Sequence, residues 1–195
     1  MFFSVPLSGK AAAVTGATQG IGKSTTLRLA KEGADIILLD VKQDILAETA
    51  KEVEALGRKA VALTANISNR DKFAESLRED AKTLGDLNIM VNNTEICQVK
   101  PVLDIESAEI EKIFNINVQG LLWGIQAAAK IFKEKGTKGK TINACPIAGQ
   151  GTGVLRYYGQ LLLPRYRRHG HVGHDRQAPG RNHRRRRGCD LQKIC

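Results

Sequence analysis

Three glycines and one carboxylate carry the first chemical signal in this chain. Thr15-Gly16-Ala17-Thr18-Gln19-Gly20-Ile21-Gly22 follows a short apolar run and opens a helical pattern. Gly16 permits a tight turn, Gly20 lets the backbone approach a diphosphate, and Gly22 allows a helix to lie close on a strand. Gln19 and Ile21 flank the central glycine, where the helix start offers unpaired amides and the positive end of its dipole. The chemistry implied is capture of a dinucleotide's phosphates by backbone N–H groups. Asp40 stands at the end of the next apolar run. A carboxylate there accepts hydrogen bonds from ribose hydroxyls and repels a 2′-phosphate, which favours NAD over NADP. Lys42, two residues on, weakens that repulsion.

Residues of this kind need a frame of strands and helices, and the sequence supplies one. Short apolar runs at 11–15, 35–39, 60–63, 87–91 and 140–144 alternate with helical patterns at 20–31, 43–56, 71–84 and 106–135. Several of the helical stretches close on a glycine, as Gly33, Gly57 and Gly85 do. Strands alternating with helices predict an α/β fold, a Rossmann-type doubly wound parallel sheet with helices on both faces. The pattern ends after the fifth strand.

Beyond that point the composition changes. Residues 1–155 hold 15 Lys and 4 Arg against 18 acidic residues, whereas residues 156–195 hold 10 Arg and 1 Lys against Asp175 and Asp190. All four histidines lie in this last stretch, which therefore carries almost all of the net charge of +10. The division predicts a dinucleotide-binding domain over 1–155 and an irregular, disordered Arg/His-rich tail over 156–195, since such a tail buries too little apolar surface to offset its chain entropy.

The spacing Gly-x-x-x-Gly-x-Gly resembles the short-chain dehydrogenase/reductase family, and three further stretches are similar to it. Ala65-Asn66-Ile67-Ser68 resembles the family's adenine-contacting segment, with Asn66 where aspartate is usual. Val91-Asn92-Asn93-Thr94 resembles its Asn-Asn-Ala-Gly strand end, with Glu95 in place of the glycine. Asn115-Ile116-Asn117-Val118-Gln119-Gly120 resembles the helix that carries its catalytic asparagine, at Asn117. Residues 115–128 and 139–145 look most like the acetoin/diacetyl reductase (2,3-butanediol dehydrogenase) branch. The resemblance implies hydride transfer between NAD(H) and a small ketone, diketone or alcohol. It also implies cofactor contacts at Gly16, Gln19, Gly20, Ile21, Gly22, Asp40, Asn66, Ile67 and Asn93.

The family reduces its carbonyl with a tyrosine as general acid, a lysine four residues later that lowers the phenol's pKa, and a serine that holds the substrate oxygen. A phenol of pKa near 10 needs such a cation to act near neutrality. Here the serine position is Pro146, the remnant of the tyrosine is Tyr158, and Leu162 stands four residues after it. No Tyr-x-x-x-Lys occurs in the chain. The expectation is a truncated pseudoenzyme, impaired in catalysis, whose tail is translated out of frame. The alternative is a non-catalytic nucleotide-binding or interaction protein that retains the Rossmann half.

Other readings are weaker. The tail has no aromatic pattern or folded motif for specific nucleic-acid recognition, and its histidines match no zinc spacing. Four cysteines without framework spacing, no basic n-region and no long apolar run predict a reduced cytoplasmic protein with no membrane span. The family forms homo-oligomers, and the stripe Ile113, Leu121, Ile125, Ala128 and Phe132 is expected to be left partly uncovered, compromising that interface.

Overall fold

The computed structural model describes residues 7–97 and 101–144, with backbone only at Val102. Five strands form one parallel sheet in the order β3-β2-β1-β4-β5. The central strand β1 (Ala11–Thr15) is buried along its whole length, as its run of small and β-branched side chains allows. It pairs with β2 (Asp35–Asp40) and with β4 (Ile89–Asn92), and β3 (Ala60–Thr64) and β5 (Lys140–Asn143) complete the sheet.

The pleat separates two cores. Ala12, Val14, Ile36, Leu38 and Val91 face α1 (Gly20–Lys31) and α2 (Gln43–Ala55), where they pack with Ala30, Leu46 and Val53. Ala13, Ile37, Leu39 and Met90 face the other way, toward Phe73 and Leu77 of α3 (Arg70–Thr83) and Ala128 and Phe132 of α5 (Leu121–Lys135). This is the doubly wound fold that the alternating pattern predicts.

Element ends differ from the sequence reading by a residue or two, for local reasons. The fourth strand begins at Ile89 rather than at 87. Asp86 caps the Leu87 amide at 2.7 Å, and the Asn88 side chain accepts from the Ala11 amide at 3.0 Å, so side chains take up amides at the strand's entry while the Asn88 backbone still bonds Ala11 and Lys140. α3 begins one residue early because Asn69 caps it, accepting from the Lys72 amide at 3.4 Å.

The helix read over 106–135 is not uniform. Ser107–Ile113 forms α4, Phe114–Gly120 winds as a π-helix, and α5 follows without a break. The wider π turns shift the phase of the helix, and this corrects the expected stripe. Ala128 and Phe132 are in the core, and Ile113, Leu121 and Ile125 are half-buried. Along α4, the π segment and α5 the exposed large apolar side chains are Ile110, Phe114, Val118 and Leu122, spaced four apart. Among the described residues no helix is long and apolar enough to cross a membrane, and no cluster of His, Cys, Asp or Glu could hold a metal.

Candidate functional site

The strands all point one way, so their carboxyl ends and the loops that follow meet along one edge of the sheet. Gly16 turns the chain there with a φ of +67°, and Gly22 lies so close beneath it that a Cβ would strike the Gly16 carbonyl and the Asn93 side chain. Gln19 is the N-cap of α1 but makes no side-chain cap, and the first turn carries no acid. The amides of that turn therefore face outward without an internal anion, the arrangement a diphosphate requires. Gly20 and Ile21, the next residues, are exposed at this edge.

Asp40 stands at the tip of β2, directly opposite the glycine loop. Its Oδ2 accepts from the Thr18 hydroxyl at 2.6 Å and the Thr18 amide at 3.3 Å. Its Oδ1 accepts from the amides of Val41 at 2.8 Å and Lys42 at 3.3 Å. These four donors fix the half-buried carboxylate and occupy its four acceptor sites, so a ligand hydroxyl enters by sharing or displacing one of the two long contacts at 3.3 Å. Lys42 reaches back across the loop, its Nζ donating to Gln19 Oε1 at 3.0 Å.

Beside Asp40 lies a slot of about 100 Å³. Val41 follows β2, Asn66 and Ile67 follow β3, Ile96 follows β4, and Ile116 comes from the π segment. Asn66 turns its own loop, its Oδ1 accepting from the Ser68 amide and hydroxyl at 3.0 and 2.8 Å. An acid at one end and apolar walls along the sides suit a ribose and a flat heteroaromatic ring. A larger open groove of about 570 Å³ runs along α1. It begins at Gly20 and Ile21 of the glycine loop, and its one charged lining residue, Arg28, is paired with Glu32 at 2.7 Å.

The segment after β4 is fixed from both sides. The buried Thr15 hydroxyl accepts from the amides of Asn93 at 2.9 Å and Thr94 at 3.0 Å. Two residues on, Asn117 Oδ1 accepts from the Ile96 amide at 2.9 Å and its Nδ2 donates to the Ile96 carbonyl at 2.8 Å. Glu95 lies between these anchors, and burial pushes its carboxyl above the usual carboxylate range.

The structure thus brings Gly16, Gln19, Gly20, Ile21, Gly22, Asp40, Asn66, Ile67, Asn93 and Asn117 to one edge. Tyr158, Pro146 and Leu162 lie outside the described residues, as does the expected boundary at 155. The sequence reading did not find Thr15, Thr18, Ile96 or Ile116. The two threonines sit inside the glycine motif, but nothing in their type announces a partner 22 or 78 positions away.

Comparisons with known proteins agree with this geometry. A family model described as short chain dehydrogenase matches residues 10–159. A diacetyl reductase ((S)-acetoin forming) of Staphylococcus epidermidis is 44% identical over 140 residues, which are 72% of this chain and 54% of that protein. An L-2,3-butanediol dehydrogenase of Corynebacterium glutamicum is 40% identical over 152 residues, covering 76% and 59%. The chain therefore spans little more than half the length of these relatives.

Among solved structures, a short chain dehydrogenase from Mycobacterium paratuberculosis bound to NAD has a TM-score of 0.68 at 30% identity. The match covers 71% of this chain and 56% of that one. A short chain dehydrogenase from Burkholderia cenocepacia in complex with NADP also gives 0.68, at 29% identity, covering 75% and 60%. With its glycine loop, strand order and asparagine-bearing helix, the chain belongs to the short-chain dehydrogenase family.

Proposed function

We propose that this chain binds NAD(H), with adenosine in the slot beside Asp40 and the diphosphate on the glycine loop, and that its present sequence does not support efficient turnover. The orientation of Asp40 carries the cofactor reading. A carboxylate held by three amides and a hydroxyl is already placed to accept from ribose 2′- and 3′-hydroxyls, and it opposes a 2′-phosphate. The residues present fit the adenosine and diphosphate halves: the amides of α1 are outward, Gly16 and Gly22 let the loop close against itself and the Asn93 segment, and open space surrounds Gly20 where a diphosphate would approach.

Bound nicotinamide would supply the hydride acceptor or donor. What the protein must add is a proton at the substrate oxygen, and the residues for this are lacking in the sequence. Pro146 has no hydroxyl, and Leu162 offers no cation to lower the pKa of the Tyr158 phenol. By its relatives, the substrate class is a small diketone, hydroxyketone or vicinal diol. The chain reads as a binder of the cofactor that has kept the Rossmann half of a reductase. The test is purified chain with NADH and diacetyl, followed by absorbance and by thermal shift. Stabilisation by NADH without turnover is the expected result. Turnover would overturn the inactivity, and no stabilisation would overturn the binding.

A further inference from the structure

We infer that Gly120, although outside the slot, sets its depth by giving Ile67 room to stand back, and so determines whether adenosine fits. The inference rests on the adenosine reading above. Gly120 is buried and has ordinary right-handed dihedrals, φ −58° and ψ −41°, so the backbone there makes no demand for glycine. Alanine would be better in such a position by about 1 kcal/mol of helix propensity. The demand is for space. A Cβ on Gly120 would lie 2.6 Å from Ile67 Cδ1 and 2.8 Å from Ile67 Cγ1.

Ile67 would have to move, and its surroundings leave one direction. It belongs to the packed core that holds Phe73 and Leu77, and interiors at native density do not absorb a methyl. The open space beside it is the slot it lines. Nor does α5 have freedom to withdraw. The Arg70 guanidinium, at the start of α3 just after the Ile67 loop, sits 4.8 Å over the Trp123 ring and donates to Gln126 Oε1 at 3.1 Å. Both contacts join α3 to α5 within two turns of the notch, on the C-terminal side of Gly120. The register is also informative: Ile116, which forms a wall of the slot, lies one turn before Gly120.

The experiment uses the full chain and three variants, Gly120→Ala, Ile67→Ala and the two together, since Ile67→Ala removes both the Cδ1 and the Cγ1 atoms that a Gly120 Cβ would meet at 2.6 and 2.8 Å. NADH and 5′-AMP are titrated by calorimetry, and the unliganded melting point is read alongside. Gly120→Ala should weaken both ligands by about tenfold in the parent, within the range for overpacking by one methyl, and should have little further effect in the Ile67→Ala background. A merely structural glycine would not be rescued by trimming Ile67. If Gly120→Ala does not fold, the double variant decides against Ile67→Ala alone: folding with the affinity of Ile67→Ala supports the coupling, and failure to fold or weaker binding than Ile67→Ala overturns it. Unchanged affinity in Gly120→Ala overturns this inference alone. A parent chain that binds neither ligand overturns the functional reading together with it.

Discussion

The Thr18 hydroxyl donates to Asp40 Oδ2 at 2.6 Å, so the loop proposed to hold the phosphates also orients the acid proposed to meet the ribose. The two halves of the cofactor site are therefore set by one local interaction between residues 22 positions apart. Asp40→Ala should raise the dissociation constant for NADH by about tenfold or more, given about 1.5–3 kcal/mol for a hydrogen bond to a charged group. It should also narrow the preference for NADH over NADPH, because the charge opposing a 2′-phosphate is gone. Thr18→Val should have a smaller effect of the same sign, since the Val41 and Lys42 amides still hold Oδ1. Parallel titrations with both nucleotides check the pair.

Asn117 acts on the same edge through the backbone. Its side chain satisfies both the amide and the carbonyl of Ile96, a residue that lines the slot. Asn117→Ala should cost about 2 kcal/mol, since each partly buried backbone group left without a partner costs on the order of 1 kcal/mol or more. Urea denaturation of the unliganded chain would show a lower midpoint. An unchanged midpoint would mean that water replaces the amide without loss.

The doubly wound sheet was legible because its signals are periodic. Buried strands such as Ala11–Thr15 read as apolar runs, and the glycines that close the helices mark their ends. The glycine loop was legible for a different reason, because the left-handed turn at Gly16 and the close approach at Gly22 limit the residue types allowed. The π segment was not, since Phe114–Gly120 has the same apolar spacing as an ordinary helix. What distinguishes it is Asn117 bonded to Ile96, a contact between elements that no local pattern contains. Gly120 was equally silent: it reads as a poor helix former until Ile67 is seen against it.

The change of composition after residue 155 makes a prediction about the gene. The family match ends at residue 159, while the Arg and His content rises from about the same place. We propose that the segment beyond is read one base out of frame. The nucleotide sequence should then encode, in the plus-one frame, a Tyr-x-x-x-Lys-like segment near the codons for Tyr158 to Leu162. A plus-one frame without such a remnant would show that the basic segment is the inherited sequence.

Glu95 gives the cofactor site a pH dependence of definite sign. Thr94, its neighbour, lies against Gly16, where a Cβ would be 3.3 Å from the Thr94 Cα, so the Glu95 backbone stands one residue from the loop proposed to hold the diphosphate. Burial raises its pKa, which means that the neutral form persists above the ordinary carboxyl range. As pH rises through that titration a negative charge appears beside the phosphates, and NADH affinity should fall by about two- to fivefold, less at high salt. Stability moves the same way: the neutral carboxyl's contribution is complete below the unfolded value and is lost as pH rises through the folded one. Glu95→Gln should abolish both trends and bind NADH more tightly at neutral pH. Titrations from pH 4.5 to 8 at two salt concentrations would show it. A parent whose affinity does not change over that range would mean that the carboxylate points away from the phosphates.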